Sequence, residues 1–165
     1  MDRLWATWRM PYIDSLKEKT GGCIFCEKPA EGKDEEMYVL HRRANSFVIL
    51  NTFPYNPGHI MIAPSRHVGS FSKLDGEERS EIMELLALSE TILEEVFRPN
   101  GMNVGVNLGK AAGAGVPGHL HVHLVPRWQG DANFMPVLGG TKVLPQGLRE
   151  TYGRLREAFL LRERG

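Results

Sequence analysis

The chain has 165 residues, 20 basic and 20 acidic, and a formal net charge of zero. A balanced charge argues against a nucleic-acid binder that relies on nonspecific phosphate neutralisation, but not against a small nucleotide held by a few local donors. With 42% hydrophobic and 24% charged residues, the composition suits one globular domain over residues 1–165 with its own core, and no apolar run approaches the ~20 residues of a membrane span.

The opening Asp2-Arg3-Leu4-Trp5 is no signal-peptide pattern. The expected location is the cytoplasm, and no membrane partner is expected. Residues 1–22 carry Trp5, Trp8, Met10 and Tyr12, too aromatic for a loose tail, and read as an arm that packs on the body or on a partner subunit. Gly22-Cys23-Ile24-Phe25-Cys26 follows as a tight knuckle with paired thiols. Two cysteines in such a chain do not make a disulfide framework. Residues 27–36, charged and broken by Pro29 and Gly32, read as a solvated loop.

Three short strands are expected at Tyr38–Leu40, Phe47–Leu50 and His59–Ala63, separated by Asn45-Ser46 and by Pro54-Tyr55-Asn56-Pro57-Gly58. A helix should start at Asp75, with Glu78 completing a capping box. Its apolar residues Ile82, Leu85, Leu86, Ile92, Leu93, Val96 and Phe97 keep helical spacing, and Arg98-Pro99-Asn100-Gly101 stops it. Met102–Leu108 reads as a fourth strand. Gln146–Arg164 reads as a final helix with Leu148, Tyr152, Leu155, Phe159 and Leu160 on one side. These elements predict an α+β fold with a mostly antiparallel five-stranded sheet, one long helix and a C-terminal helix.

The fifth strand carries the chemistry. Residues 117–128 read Pro-Gly-His-Leu-His-Val-His-Leu-Val-Pro-Arg-Trp, placing three of the six histidines within five residues. His119, His121 and His123 alternate with Leu120, Val122 and Leu124, which is the period of a strand. The apolar set would face a core and the imidazoles the other face, about 7 Å apart at ~3.3 Å per residue, and Pro126 is expected to end the strand. Such a row is open to three readings: a solvated face, a cupin-like metal cluster, or nucleophilic catalysis by imidazole. The cupin pattern lacks its later glutamate, since Val125 and Pro126 stand there.

Gly113-Ala114-Gly115-Val116-Pro117-Gly118 fits G-x-G-x-x-G but precedes a strand, so it is not a dinucleotide fingerprint. Gly109-Lys110 likewise lacks the flanking residues of a P-loop. A glycine-rich turn beside histidines can still bring backbone N–H groups to a phosphate, against which stands a plain turn. Cys23 and Cys26 have the spacing of two zinc ligands, and no second cysteine pair accompanies them.

His-φ-His-φ-His-φ-φ, with φ apolar, is matched at every position from His119 to Val125, and the chain here resembles the histidine-triad (HIT) superfamily. Asn51 through Pro-Gly-His at 57–59 and on to Pro64 resembles the family's Asn…Pro-Gly-His strand. Asn103–Gly109 and Arg127–Phe134 resemble more narrowly its diadenosine tetraphosphate phosphorylase branch. The resemblance implies a HIT-like fold and a homodimer. It implies that His121 is the nucleophile attacking an α-phosphorus, with His123 and His59 donating to phosphate oxygens. A backbone carbonyl is the expected acceptor for the other nitrogen of His121. It implies a structural zinc ion on Cys23, Cys26, His67 and His119, with His41 as the reserve ligand and reduced buried thiols as the alternative. Asn51 would hold the ribose hydroxyls, Asn107 phosphate or ribose, and Leu50, Phe53 and Phe47 the base, although these three also read as core.

One departure stands out. Where many relatives carry Gln and Ser/Thr before the first histidine, this chain has Gly115 and Val116. Leaving-group contacts would then come from backbone, with Gly115 among it, or from Lys110, Arg127, Asp131 or Asn133. The departure fits phosphorolysis of a dinucleoside polyphosphate by inorganic phosphate better than hydrolysis releasing AMP. A regulatory module whose triad only binds nucleotide is the alternative of another class.

Overall fold

A computed structural model describes residues 22–30, 32–132 and 146–163. The arm over residues 1–21, the candidate Asn133, Phe134 of the branch motif, and Arg164 lie outside these. In chain order the elements are α1 (Ile24–Ala30), α2 (Asp34–Met37), β1 (Val39–Arg42), β2 (Ser46–Leu50), β3 (Ile60–Pro64), α3 (Gly76–Phe97), β4 (Gly101–Val106), β5 (Val122–Arg127) and α4 (Leu148–Glu163). The five strands form one sheet in the order β1-β2-β3-β5-β4, antiparallel at every pairing. The fold is α+β, as the pattern of apolar residues predicts.

Strand alternation divides the sheet into two faces. Val48, Leu50, Ile60, Ile62, Val122 and Leu124 face the helix layer, where Ile82, Leu85, Ile92 and Leu93 of α3 and Tyr152, Leu155 and Phe159 of α4 complete one core. Phe47, Ile49, Met61 and Ala63 face the other way and meet Phe25 of α1 in a smaller core. His123 pairs with Met61 on β3 and Gly105 on β4, so the histidines belong to this second face.

The long helix begins as its sequence dictates. Asp75 accepts from the Glu78 N–H at 2.8 Å, while Glu78 accepts from the Asp75 N–H at 2.9 Å, which satisfies two of the helix's orphan donors. Glu78 also takes two bonds from Arg66, at 3.0 and 2.8 Å. The helix ends where Arg98 turns left-handed, at φ 47°.

Five local expectations are corrected. Residues 27–36 are not a loop, since α1 runs through Ala30 and α2 spans Asp34–Met37. Buried Phe25 and the bonds from Arg42 to the Pro29 carbonyl (2.8 Å) and the Asp34 carboxylate hold that charged stretch. β1 starts at Val39 because Tyr38 is left-handed, at φ 61°, as the cap of α2. The fourth strand stops at Val106, and the histidine strand is regular only from Val122. Finally, Pro126 sits within β5. In an antiparallel ladder the N–H and C=O of one residue point to the same neighbour. The Pro126 carbonyl points toward the β2–β3 loop, where Asn56 Nδ2 meets it at 2.9 Å. The missing N–H therefore faces a stretch beyond the start of β3, whose first pair is Ile60 with Leu124.

No helix among the described residues is long and apolar enough to cross a membrane.

The capping box yields a pH test. The Arg66 guanidinium, together with the Asp75 N–H, holds the Glu78 carboxyl below the ordinary glutamate range. A depressed carboxyl contributes stability above its unfolded pKa of about 4.3 and loses it as pH falls through the lower folded value. Denaturant midpoints of Glu78→Gln should therefore lie below wild type at pH 7 and converge with it as pH drops below about 4. A pH-independent gap would contradict this. Asp75→Ala should cost about 1 kcal/mol throughout neutral pH.

Candidate active site and metal centre

Two clusters of side chains lie on the second face, and His119 borders both. In the first, the ligand atoms of Cys23, Cys26, His67 and His119 all lie within 4.8 Å of one another. Cys23 Sγ is 3.3 Å from His119 Nδ1, Cys26 Sγ is 3.5 Å from the same nitrogen, and Cys26 Sγ is 3.3 Å from His67 Nδ1. The local fold explains the meeting. The Cys23 carbonyl accepts from the N–H groups of Cys26 and Glu27, both at 2.9 Å, so one turn brings both sulfurs to one side. The Leu120 N–H bonds the Val68 carbonyl and lays the His67 loop beside His119. Gly118 lets the His67 ring come close: a Cβ there would stand 3.2 Å from His67 Nε2 and press the ring aside by a few tenths of an ångström.

This donor set fits a tetrahedral metal. With Zn–S near 2.3 Å and Zn–N near 2.0 Å, sulfur and nitrogen ligands of one ion stand about 3.5 Å apart, which is close to the distances seen. His119 is also oriented for the task. Its Nε2–H donates to the Pro64 carbonyl at 2.8 Å, leaving the Nδ1 lone pair on the sulfur side. The reserve ligand His41 is elsewhere. A bulge in β1 shifts the register between Val39 and His41, which turns His41 onto the helix face. There it stacks on Phe159 at 5.3 Å, with Nδ1 2.7 Å from Glu163.

The second cluster begins two residues on. His121 is buried, and its Nδ1–H donates to the His119 carbonyl at 2.8 Å. This fixes the tautomer with the lone pair on Nε2, and burial keeps the imidazole toward its neutral form. The acceptor is a backbone carbonyl, as the lack of a nearby acid suggests. Phe25 stacks on the His121 ring at 4.8 Å between centroids. His123 stands 4.9 Å from His121, edge to face.

Behind His123 runs a chain of donors. The Tyr55 N–H (3.1 Å) and Asn51 Nδ2 (3.2 Å) both donate to His59 Nδ1. His59 Nε2–H then donates to His123 Nδ1 at 2.9 Å, which leaves Nε2 as the protonated nitrogen of neutral His123. His59 itself has no accessible surface, so a phosphate would meet His123 and feel His59 through it.

The expected substrate contacts divide. Asn51 accepts from the Phe53 N–H at 2.9 Å while holding His59, so its amide borders the histidines. One step past the last β4 pair, Val106 with Val122, Asn107 stands level with His121. Phe53 is 59% exposed, and its N–H bonds the Asn51 amide. Gly115 lies in the turns leading to the triad. Leu50 is a correction: alternation along β2 buries it in the helix-side core, opposite the histidines, so it cannot line their pocket. Phe47 is on the histidine face but fully buried beneath it. Arg127 and Asp131 are bound to each other through two bonds of 2.6 and 2.9 Å. The guanidinium holds the Asp131 carboxyl far below its usual range, and Asn56 donates to it as well. They brace the end of β5. Lys110 is exposed in a single 3-10 turn.

Phe25 and Tyr55 also shape the site, although neither belongs to a sequence motif for it. Phe25 lies between the two cysteines, and the turn that brings both sulfurs to His119 here also lays its ring on His121. Tyr55, read as a turn residue, fixes the His59 tautomer through its backbone.

Tautomers are observable directly. Long-range proton–nitrogen NMR of the imidazoles should show protons on Nε2 of His119, on Nδ1 of His121 and on Nε2 of His59. A proton on Nε2 of His121 would contradict the geometry.

A family model described as the HIT domain matches residues 33–130. The chain is 42% identical over 158 residues to the AP-4-A phosphorylase of Mycobacterium tuberculosis strain H37Rv, covering 92% of this chain and 80% of that one. Among solved structures, it superposes on the histidine triad nucleotide-binding protein ST2152 of Sulfolobus tokodaii with a TM-score of 0.67 at 24% identity. That match covers 86% of this chain and 95% of the other. A Zn-bound histidine triad family protein from Mycobacterium smegmatis gives 0.62 at 20% identity, covering 93% and 95%. With a family match over most of the described sheet and a relative this similar along nearly its whole length, the chain belongs to the HIT domain family.

Proposed function

We propose that this protein, read as one domain, is a nucleotidyl-transfer enzyme that phosphorolyses diadenosine tetraphosphate to ADP and ATP. The observation that carries the reading is the His121 tautomer: its Nδ1–H is committed to the His119 carbonyl, which leaves Nε2 as a neutral nucleophile. His121 Nε2 attacks the α-phosphorus, the bond to the bridging oxygen breaks, and ATP leaves. An oxygen of inorganic phosphate then attacks the nucleotidyl-imidazole, releasing ADP and restoring His121. His123, oriented by His59, donates to a non-bridging oxygen as charge develops. Asn51 and Asn107 border the ribose and phosphates, and Phe53 and the backbone of Gly115 complete the substrate contacts. The likeness to the AP-4-A phosphorylase supports the substrate class, and Gly115 and Val116, with no polar side chains, support phosphate over water as acceptor.

Cys23, Cys26, His67 and His119 would hold one zinc ion, supported by their spacing and by the Nε2 anchor on His119. Four protein ligands close the coordination shell, so the ion stabilises the fold and leaves the chemistry to the histidines. We also read the protein as a cytoplasmic homodimer. Among the described residues β4 pairs only with β5, its Val104 is 54% exposed, and a groove of about 260 Å³ runs beside it against Leu86, Met102 and Pro99. A second copy would cover this edge.

Product analysis of diadenosine tetraphosphate turnover tests the activity. ADP and ATP should appear only when phosphate is added, and His121→Ala should reduce turnover by roughly 10⁴-fold or more. AMP and ATP with or without phosphate would mean a hydrolase, and near-normal turnover by His121→Ala would remove the histidine from the mechanism. Elemental analysis of protein made with zinc available should find one zinc per chain, and its absence would defeat the metal assignment.

A further inference from the structure

We infer that Cys23 and Cys26 are a redox-sensitive pair whose oxidation to a disulfide dismantles the metal cluster and disables His121. The inference rests on the zinc reading above and goes beyond it. Three observations lead there. The two sulfurs sit on one helical turn, both directed at His119 Nδ1, and neither cysteine is fully buried. Spacing of this kind lets a dithiol close without unfolding the chain around it. Every structural link from this turn to the nucleophile is short. His119 faces the sulfurs through Nδ1 and holds His121 Nδ1–H through its own carbonyl. Phe25, between the cysteines, packs on the His121 ring at 4.8 Å and on the His119 ring at 5.3 Å.

A disulfide needs its sulfurs about 2.05 Å apart, whereas two sulfur ligands of a tetrahedral zinc stand about 3.8 Å apart. Closing that gap removes both sulfur partners of His119 and draws in the turn that carries Phe25. The oxidant is a peroxide. One sulfur attacks its oxygen, releasing an alcohol or water and leaving a sulfenic acid; the second sulfur then displaces hydroxide. In sum, two thiolates, one peroxide and two protons give the disulfide, one alcohol or water, and one further water; a zinc ion held on those thiolates would lose both sulfur ligands and leave as the free ion. The sulfurs lose two electrons and the peroxide gains them.

The test uses the full chain as purified. Zinc per chain is measured before any oxidant is added. Hydrogen peroxide is then titrated while a chromogenic chelator reports released zinc, peptide mass spectrometry reports the 23–26 linkage, and phosphorolysis is assayed. Zinc release and disulfide formation should rise together while turnover falls on the order of 10- to 100-fold, as expected for a small displacement of a catalytic group. A dithiol plus zinc should restore turnover, which excludes methionine sulfoxidation because that lesion needs its own reductase. Cys26→Ser, which cannot form the linkage, should keep whatever turnover it has after the same treatment. A Cys23–Cys26 disulfide with turnover intact would overturn the inference, as would peroxide inactivation without that disulfide. Less than stoichiometric zinc before oxidation would overturn the zinc reading first, and with it the release step.

Discussion

His119 is the residue on which the site depends. Its ring bonds the Pro64 carbonyl with one nitrogen and turns the other to two cysteine sulfurs, while its own carbonyl sets the tautomer of His121. One residue thus locks the knuckle, the β3 end and the His121 ring to each other. A metal ion at the sulfurs would stiffen the same arrangement from outside.

Buried imidazoles are costly unless each nitrogen has a partner. His59, His119 and His121 are all buried, and the chain meets their needs largely with backbone. Pro64, His119 and Tyr55 supply main-chain groups, while Asn51, His123 and the sulfurs of Cys23 and Cys26 add side-chain partners. Backbone partners cannot change their protonation, so the tautomers follow from the fold itself. The Arg127–Asp131–Asn56 network does a related job at the far end of β5, where Asn56 satisfies the Pro126 carbonyl beyond the start of β3 and is itself held by Asp131.

Much of this was legible in the sequence because its signals are local and periodic. The alternation at 119–125, the capping box at Asp75 and the Cys-x-x-Cys spacing each encode geometry within a few residues. What stayed hidden depends on long-range register. Leu50 reads equally as pocket or core in the sequence, and only the pleat of β2 sends it to the face opposite the histidines. His41 seemed a usable ligand until a one-residue bulge rotated it away. Pro126 looked like a terminator because the direction its missing N–H would face is a property of the sheet. Phe25 was hidden differently: its role becomes visible only once the knuckle is known to dock on His119.

Trapping the intermediate tests the central claim most directly. Rapid quenching of the protein with radiolabelled diadenosine tetraphosphate, without phosphate, followed by peptide mapping and phosphorus NMR, locates the bond. The account predicts an adenylyl group on His121, bonded through Nε2. A label on His123 or His59, a bond through Nδ1, or turnover with no covalent adduct at all would contradict it.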